Sequence, residues 1–289
     1  VILVFGERGQ VASALKELMP AAHFMSSQAA NFLQADKLPG ILDKLQPKFI
    51  VNCSAYTAVD KAEMERDEAF AVNTAAPRAI ARWCGVNEAV LVQFSTDYVY
   101  PGIGEDIQSE TTATGPQNYY GETKLLGEES IRNAGCRSVI LRTSWVYSHV
   151  GHNFVKTMLR LGESKETLSV VNDQIGSPTY APDLARVVND LIPQLMQPSG
   201  RRACEVYNIA NQGFTSWHGF AEEIFKQARG LKFDLKVSQV NGIASEQYPT
   251  PAKRPLNSRL NQSKIKKDFG VEMPFWQDSL NLCLRRIKG

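Results

Sequence analysis

The opening of the chain constrains the fold more than any other stretch. Val1 to Phe5 is an unbroken apolar run of strand formers, Gly6-Glu7-Arg8-Gly9 is a tight turn, and about Gly9 to Met19 has helical period. A strand running straight into a helix is the start of a crossover unit. Small residues at Gly6, Gly9 and Ala12 let backbone come close to a pyrophosphate, and the helix N-terminus supplies free N–H groups and a positive dipole end. The spacing is G-x-x-G-x-x-A, not G-x-G-x-x-G, so a plain tight turn is the competing reading.

The same rhythm continues. A second strand is expected near His23-Phe24-Met25 and a third at Phe49 to Val51. Asp60 reads as the N-cap of a helix with Lys61, Glu63, Glu65 and Arg66 on its wet side. Val90 to Phe94 is a strand, Tyr120 to Asn133 a helix and Val139 to Leu141 a strand again. Strand and helix in alternation predict an α/β fold: a Rossmann-type, doubly wound parallel sheet with right-handed crossovers. After about residue 145 prolines become frequent and strands isolated (Leu168 to Val171, Val206 to Ile209). We therefore expect a dinucleotide-binding domain over residues 1–144. Residues 145–289 are expected to form mainly a smaller mixed α/β substrate domain, with some late segments returning to the first sheet.

Composition narrows the function classes. Thirty-two Lys and Arg against thirty Asp and Glu leave a net charge of +2, which invites neither nucleic acid nor a membrane surface. With 43% hydrophobic and 21% charged residues the chain is an ordinary globular one, and no apolar run approaches the ~18 residues of a membrane span. The start reads as a strand, so no leader peptide is expected. Five cysteines (53, 84, 136, 204, 283) without a C-x-x-C pair read as reduced thiols, and the location expected is the cytoplasm. His149 and His152 flank a glycine and no H-E-x-x-H occurs, so neither a metal nor a catalytic histidine is expected.

Chemistry must then come from other groups. No acid follows the second strand, where Ser26-Ser27-Gln28 stands in place of the carboxylate that binds the ribose 2′-OH in an NAD site. Arg8, inside the glycine turn, is placed to meet a 2′-phosphate, so NADPH is expected with NADH also accepted; the alternative is a solvated Arg8. Tyr120 and Lys124 lie four apart and share one helix face, where an ammonium stabilises phenolate and pulls the tyrosine pKa down toward the range of a general acid. Ser95-Thr96-Asp97-Tyr98 ends the fourth expected strand, on the edge where ligands bind in such sheets. A hydroxyl there could hold a carbonyl oxygen beside Tyr120, or simply cap a turn.

Together these motifs resemble the extended short-chain dehydrogenase/reductase superfamily. Val51-Asn52, Thr57 to Glu63, Ser95 to Gly102, Arg142 to Tyr147, Asn153 to Leu159, Asn172 to Gln174, Ser177 to Thr179 and Arg254 to Leu260 narrow the likeness to the dTDP-4-dehydrorhamnose reductase family. The resemblance implies NAD(P)H-dependent reduction of the C4 ketone of dTDP-4-dehydro-β-L-rhamnose, with Tyr120 as proton donor, Lys124 holding the nicotinamide ribose and Thr96 assisting the substrate oxygen. It implies sugar-nucleotide contacts from Asp97, Trp145 and Val59, and cofactor contacts from Gly6, Arg8, Gly9, Gln10, Val11, Ala55, Tyr56 and Thr57, with Tyr120 and Lys124 touching the cofactor as well. Asn31-Phe32 aligns with the adenine side, where Asp-Phe is commoner. Lys156, Arg254 and Arg259 are diphosphate candidates, Arg254 foremost. Related 4,6-dehydratases carry Glu where this chain has Tyr98, so elimination of water is not expected. Some members dimerise around magnesium, but two aligned positions are Ala14 and Pro182 here; the chain is expected to be a monomer or homodimer without a metal. The alternatives are a reductase of another nucleotide-linked keto sugar, or a non-catalytic dinucleotide-binding subunit like the regulatory subunit of eukaryotic methionine adenosyltransferase.

Overall fold

A computed structural model describes residues 1–197 and 204–289. The first half alternates β1 (Ile2–Phe5), α1 (Gln10–Leu18), β2 (His23–Met25), α2 (Leu38–Leu45) and β3 (Phe49–Asn52). It continues through two short helices, α3 (Val59–Ala62) and α4 (Arg66–Phe70), to α5 (Ala76–Asn87), β4 (Val90–Thr96), α6 (Tyr119–Ala134) and β5 (Ser138–Thr143). After β6 (Val146–Tyr147), α7 (Phe154–Ser164), β7 (Thr167–Val171), β8 (Ile175–Gly176), β9 (Thr179–Tyr180) and α8 (Ala181–Leu195) come β10 (Cys204–Asn208) and β11 (Thr215–Ser216). The chain ends with α9 (Trp217–Gly230), β12 (Gln239–Ile243), β13 (Asn257–Ser258), α10 (Ser263–Phe269) and α11 (Trp276–Lys288).

Six strands form a parallel sheet in the order β10-β5-β4-β3-β1-β2. Alternate residues of each strand feed opposite faces. Val4, Val51, Val92, Val139 and Leu141 meet α1 and α8 on one side. Leu3, Phe5, Ile50, Leu91 and Ile140 meet α2, α5 and α6 on the other. This is the expected doubly wound α/β architecture. Chain order reverses between β1 and β3, and the crevice for a ligand opens at that point, beyond the carboxyl ends of the strands.

A third cluster lies apart from the sheet, where Val155, Leu159, Leu168, Val170, Phe220, Phe225, Trp276 and Leu280 bring together α7, β7, α9 and α11. Two late elements instead serve the large sheet: α8 covers one face and β10 pairs with β5. The helix expected from Asp60 differs in the structure. It is split by non-helical Glu65, and Asp60 is the second residue of α3, whose N-cap is Ala58. Its carboxylate accepts from the Ala252 amide (3.1 Å) and from Arg254 (2.6 Å), partners almost two hundred residues away that outbid the local cap.

Candidate active site

The floor of the crevice is the turn after β1. Gly6 has φ +90°, and a Cβ there would sit 3.0 Å from the Cys53 carbonyl carbon and the Ser54 nitrogen, so both the conformation and the approach of the β3 loop demand glycine. Gly9 is the N-cap of α1 and offers no side-chain cap, which leaves the first-turn N–H groups of Gln10 and Val11 to a ligand. The cradle fits a pyrophosphate. The Gln10 side chain itself is engaged elsewhere, accepting from Asn153 at 2.9 Å. Arg8 is exposed at the lip of the turn and donates to Gln28 just past β2 (3.4 Å).

Asn31 caps the short 3-10 turn Phe32–Lys37 by accepting from the Leu33 amide (3.0 Å). Phe32 is buried edge-on against Phe5 at 5.2 Å, so its ring belongs to the core and only Asn31 and the backbone face outward. The segment Ala55-Tyr56-Thr57 follows β3 along the crevice. Asn73 holds it, accepting from the Tyr56 amide (2.9 Å) and donating to the Tyr56 carbonyl (3.1 Å). Asn73 also donates to Thr123 of α6, and it sits in a π-helical turn, Ala71–Ala75. Such turns arise where a side chain must be re-aimed at a cost in helix geometry.

The opposite wall is the junction of β4 and α6. Asn118 caps α6 by accepting from the Gly121 amide at 2.8 Å, starting the helix one residue before the expected Tyr120. Gly121 is needed because a Cβ there would lie 2.4 Å from the Tyr98 carbonyl oxygen. This close approach brings Tyr120 edge-on to Tyr98 (5.5 Å) and beside the Thr96 hydroxyl, which acts to lower the phenol's pKa. Tyr119 faces away, under Arg66 at 4.3 Å. One turn on, buried Lys124 donates to the Phe94 carbonyl at 2.7 Å. Thr96, Tyr120 and Lys124 thus converge at the carboxyl edge of the sheet.

The electrostatics correct one expectation. Lys124 was expected to pull the Tyr120 pKa down; burial instead pushes the phenol up, with the Asp97 charge adding to it and the Thr96 hydroxyl only partly offsetting it. The ammonium is turned to the Phe94 carbonyl, and burial lowers its own pKa to about 8. Tyr120 is therefore held fully protonated at neutral pH. Asp97 is buried as well, which raises its carboxyl to about 6 despite hydrogen bonds from Ser258 and Thr96.

Because the folded value for Asp97 lies above the ordinary 3.8, the fold favours the protonated carboxyl. Its stabilising contribution is complete below 3.8 and is lost as pH rises through about 6. Asp97→Asn is expected to gain on the parent protein as pH climbs through that window, by on the order of 3 kcal/mol. Denaturant titrations at its two ends measure this; parallel stability curves would show that Asp97 does not titrate there.

Beneath the site, the Arg142 guanidinium grips Glu128 with two bonds (2.9 and 2.6 Å), the side chains 2% and 1% exposed. Ser95 donates to the same carboxylate (2.7 Å), and Arg142 reaches the Tyr100 hydroxyl, which donates to Asn208. The network ties β4, β5, β10 and α6 together one turn below Lys124.

The remaining expected residues divide. Val59 and Trp145 are half-buried, Val59 at the start of α3 and Trp145 just past β5. Arg254 pairs with Asp60 (2.6 Å) beside Tyr98, whose phenol burial raises to about 12 and Arg254 partly offsets. Lys156 does not join this group; its charge acts on His149 and Cys283 instead. Arg259 bonds to Asn257, a buried strand residue. Sequence reading missed Ser258, Asn73 and the Glu128–Arg142 pair as parts of the site. Asn118 was missed too, though it left a local signal, a capping residue just before the helix. Among the described residues no cluster of three or more His, Cys, Asp or Glu side chains could hold an ion, and no helix is long and apolar enough to cross a membrane.

Comparison with known proteins places the chain in a family and matches its fold. Residues 1–288 match the family described as RmlD substrate binding domain. The dTDP-4-dehydrorhamnose reductase of Shigella flexneri is 38% identical over 293 residues, spanning 99% of this chain and 97% of the relative. A solved dTDP-4-dehydrorhamnose reductase from Clostridium acetobutylicum superposes with a TM-score of 0.90 at 32% identity, covering 100% of this chain and 99% of that one. The enzyme of the same name from Bacillus anthracis, solved in complex with NADP, gives 0.90 at 33% identity, covering 98% of each chain.

Proposed function

This chain belongs to the RmlD substrate binding domain family, and on that premise we propose that it reduces the C4 ketone of dTDP-4-dehydro-β-L-rhamnose to dTDP-L-rhamnose. The step closes dTDP-rhamnose synthesis and draws on NADPH, with NADH accepted as well. The observation that carries the reading is the placing of Tyr120 and buried Lys124, at the start of α6, beside Thr96 at the carboxyl end of β4, with the Gly6–Gly9 cradle at the carboxyl end of β1.

NADPH, when bound, supplies the hydride. Gly6, Gly9 and the first turn of α1 hold its pyrophosphate, Ala55 to Thr57 and Asn31 flank the rest of the dinucleotide, and Arg8 meets the 2′-phosphate. Tyr120 gives its proton to the ketone oxygen while Thr96 steadies that oxygen. Lys124 holds the nicotinamide ribose, and its positive charge lies one helical turn from the phenolate that proton transfer creates. Val59, Asp97 and Trp145 line the sugar. Arg254 is the diphosphate contact, its guanidinium divided between Asp60 and the incoming anion. We take residues 1–144 as the dinucleotide-binding part and most of 145–289 as the sugar-nucleotide part. The reaction belongs in the cytoplasm, the chain acts as a monomer or homodimer, and neither nucleic acid nor membrane takes part.

Deuterated NADPH tests the reaction: deuterium should appear at C4 of the product sugar by mass spectrometry. Dinucleotide binding without transfer would favour another keto sugar or a non-catalytic role. Arg8→Ala should weaken NADPH about tenfold or more while leaving NADH nearly unchanged, given the usual value of a charge-assisted bond. Equal losses for the two cofactors in calorimetry would show that Arg8 does not read the phosphate.

A further inference from the structure

Four non-glycine residues among those described have a left-handed backbone, and three of them (Gln46, Glu88, Lys232) lie at or just past helix ends, where that conformation is routine. The fourth, Trp145 (φ +49°), follows a strand. A bulky side chain persists there only when its surroundings hold it.

Two neighbours do so. The indole of Trp145 lies flat on that of Trp217, with ring centroids 3.7 Å apart and planes 13° from parallel. On the side toward β8 it presses on Gly176, where a Cβ would come within 2.8 Å of Trp145 Cε2. Trp217 is anchored in turn. Its Nε1 donates to Gln174 (3.2 Å), Gln174 donates to the Ser245 hydroxyl (2.9 Å), and Ser245 donates to Asp173 through both hydroxyl (2.6 Å) and amide (2.8 Å). The Phe154 ring supports it at 4.6 Å. The wall is also continuous with the reacting centre: Gly176 is the register partner of Ser258, which donates to Asp97.

We propose that Trp217 is a positioning residue for the sugar nucleotide, holding Trp145 in its left-handed conformation so that the indole forms a fixed wall of the sugar site. This rests on the assignment of Trp145 to the sugar under the proposed function. Neither tryptophan touches the glycine cradle, so the effect of losing the stack falls on the sugar and spares the dinucleotide.

Trp217→Leu should raise the KM for dTDP-4-dehydro-L-rhamnose about tenfold, with kcat within about threefold of the parent, since a wall that positions substrate shows first in KM. The NADPH Kd should not move. Trp217→Phe, which keeps a ring against Trp145, should recover most of the KM. Gly176→Ala presses on the indole at Cε2 and on Ser258, and should give the same rise in KM with Trp217 in place; should Trp217→Leu not fold, Trp217→Phe and Gly176→Ala together decide, the first retaining nearly the parent KM and the second raising it. An unchanged KM in folded Trp217→Leu or in Gly176→Ala, or equal damage to KM, kcat and NADPH Kd, overturns the proposal. Parent enzyme that never turns over the sugar would instead defeat the proposed function, and this inference with it.

Discussion

Replacing Tyr120 by Phe is expected to lower turnover by about 10²-fold or more, the scale set by loss of a positioned general acid. The substitution removes one hydroxyl and keeps the ring, so the edge-on contact with Tyr98 at 5.5 Å survives and the start of α6 is undisturbed. NADPH should bind with nearly the parent affinity, because the glycine cradle and Lys124 are untouched. A rate loss with intact cofactor binding identifies the proton donor. Tyr119→Phe is the control: that ring sits under Arg66 and its variant should retain activity. Full activity in Tyr120→Phe would remove the tyrosine from the mechanism.

The second large effect is on stability. Arg142→Met is expected to destabilise the protein by about 3–5 kcal/mol, because it leaves the Glu128 carboxylate buried without its bidentate partner. Ser95, the half-exposed Arg132 and the more distant Lys124 ammonium remain near the charge, but none replaces the two-bond grip. In a chain of this size that corresponds to a fall in melting temperature of roughly 10 °C. Replacing both partners with apolar residues of similar volume should recover much of the loss, since the penalty lies in the orphaned charge more than in the missing pair. Thermal unfolding of the single and double variants measures this. A single variant as stable as the parent would mean that the buried pair is not what holds this part of the fold.

These residues also show where the sequence could be read and where it could not. The Gly6–Gly9–Ala12 turn and the Tyr120–Lys124 pair are local: a helical period and a strand-to-helix turn are written in neighbouring residues, and the structure sets both on the edge of the parallel sheet. The resemblance drew on the same local motifs. Arg142, by contrast, lay inside a recognised motif with no hint of its partner, because Glu128 comes from the preceding helix and meets it only when β5 is laid beside β4. Ser258 reaches Asp97 across 161 positions and Trp217 reaches Trp145 across the small strands. The mistaken cap at Asp60 has the same origin, a local preference overridden by Arg254 from the far end of the chain. The tyrosine pKa was misjudged because spacing reports a neighbouring charge and says nothing of burial, which prevails here.

The central claim is tested most directly by following the near-ultraviolet absorbance of NADPH in the presence of purified protein and enzymatically prepared dTDP-4-dehydro-L-rhamnose. The account predicts a steady loss of absorbance that requires the sugar and is abolished or nearly so in Tyr120→Phe. A loss that proceeds at the same rate without the sugar, or no loss at all with both ligands bound, would contradict it.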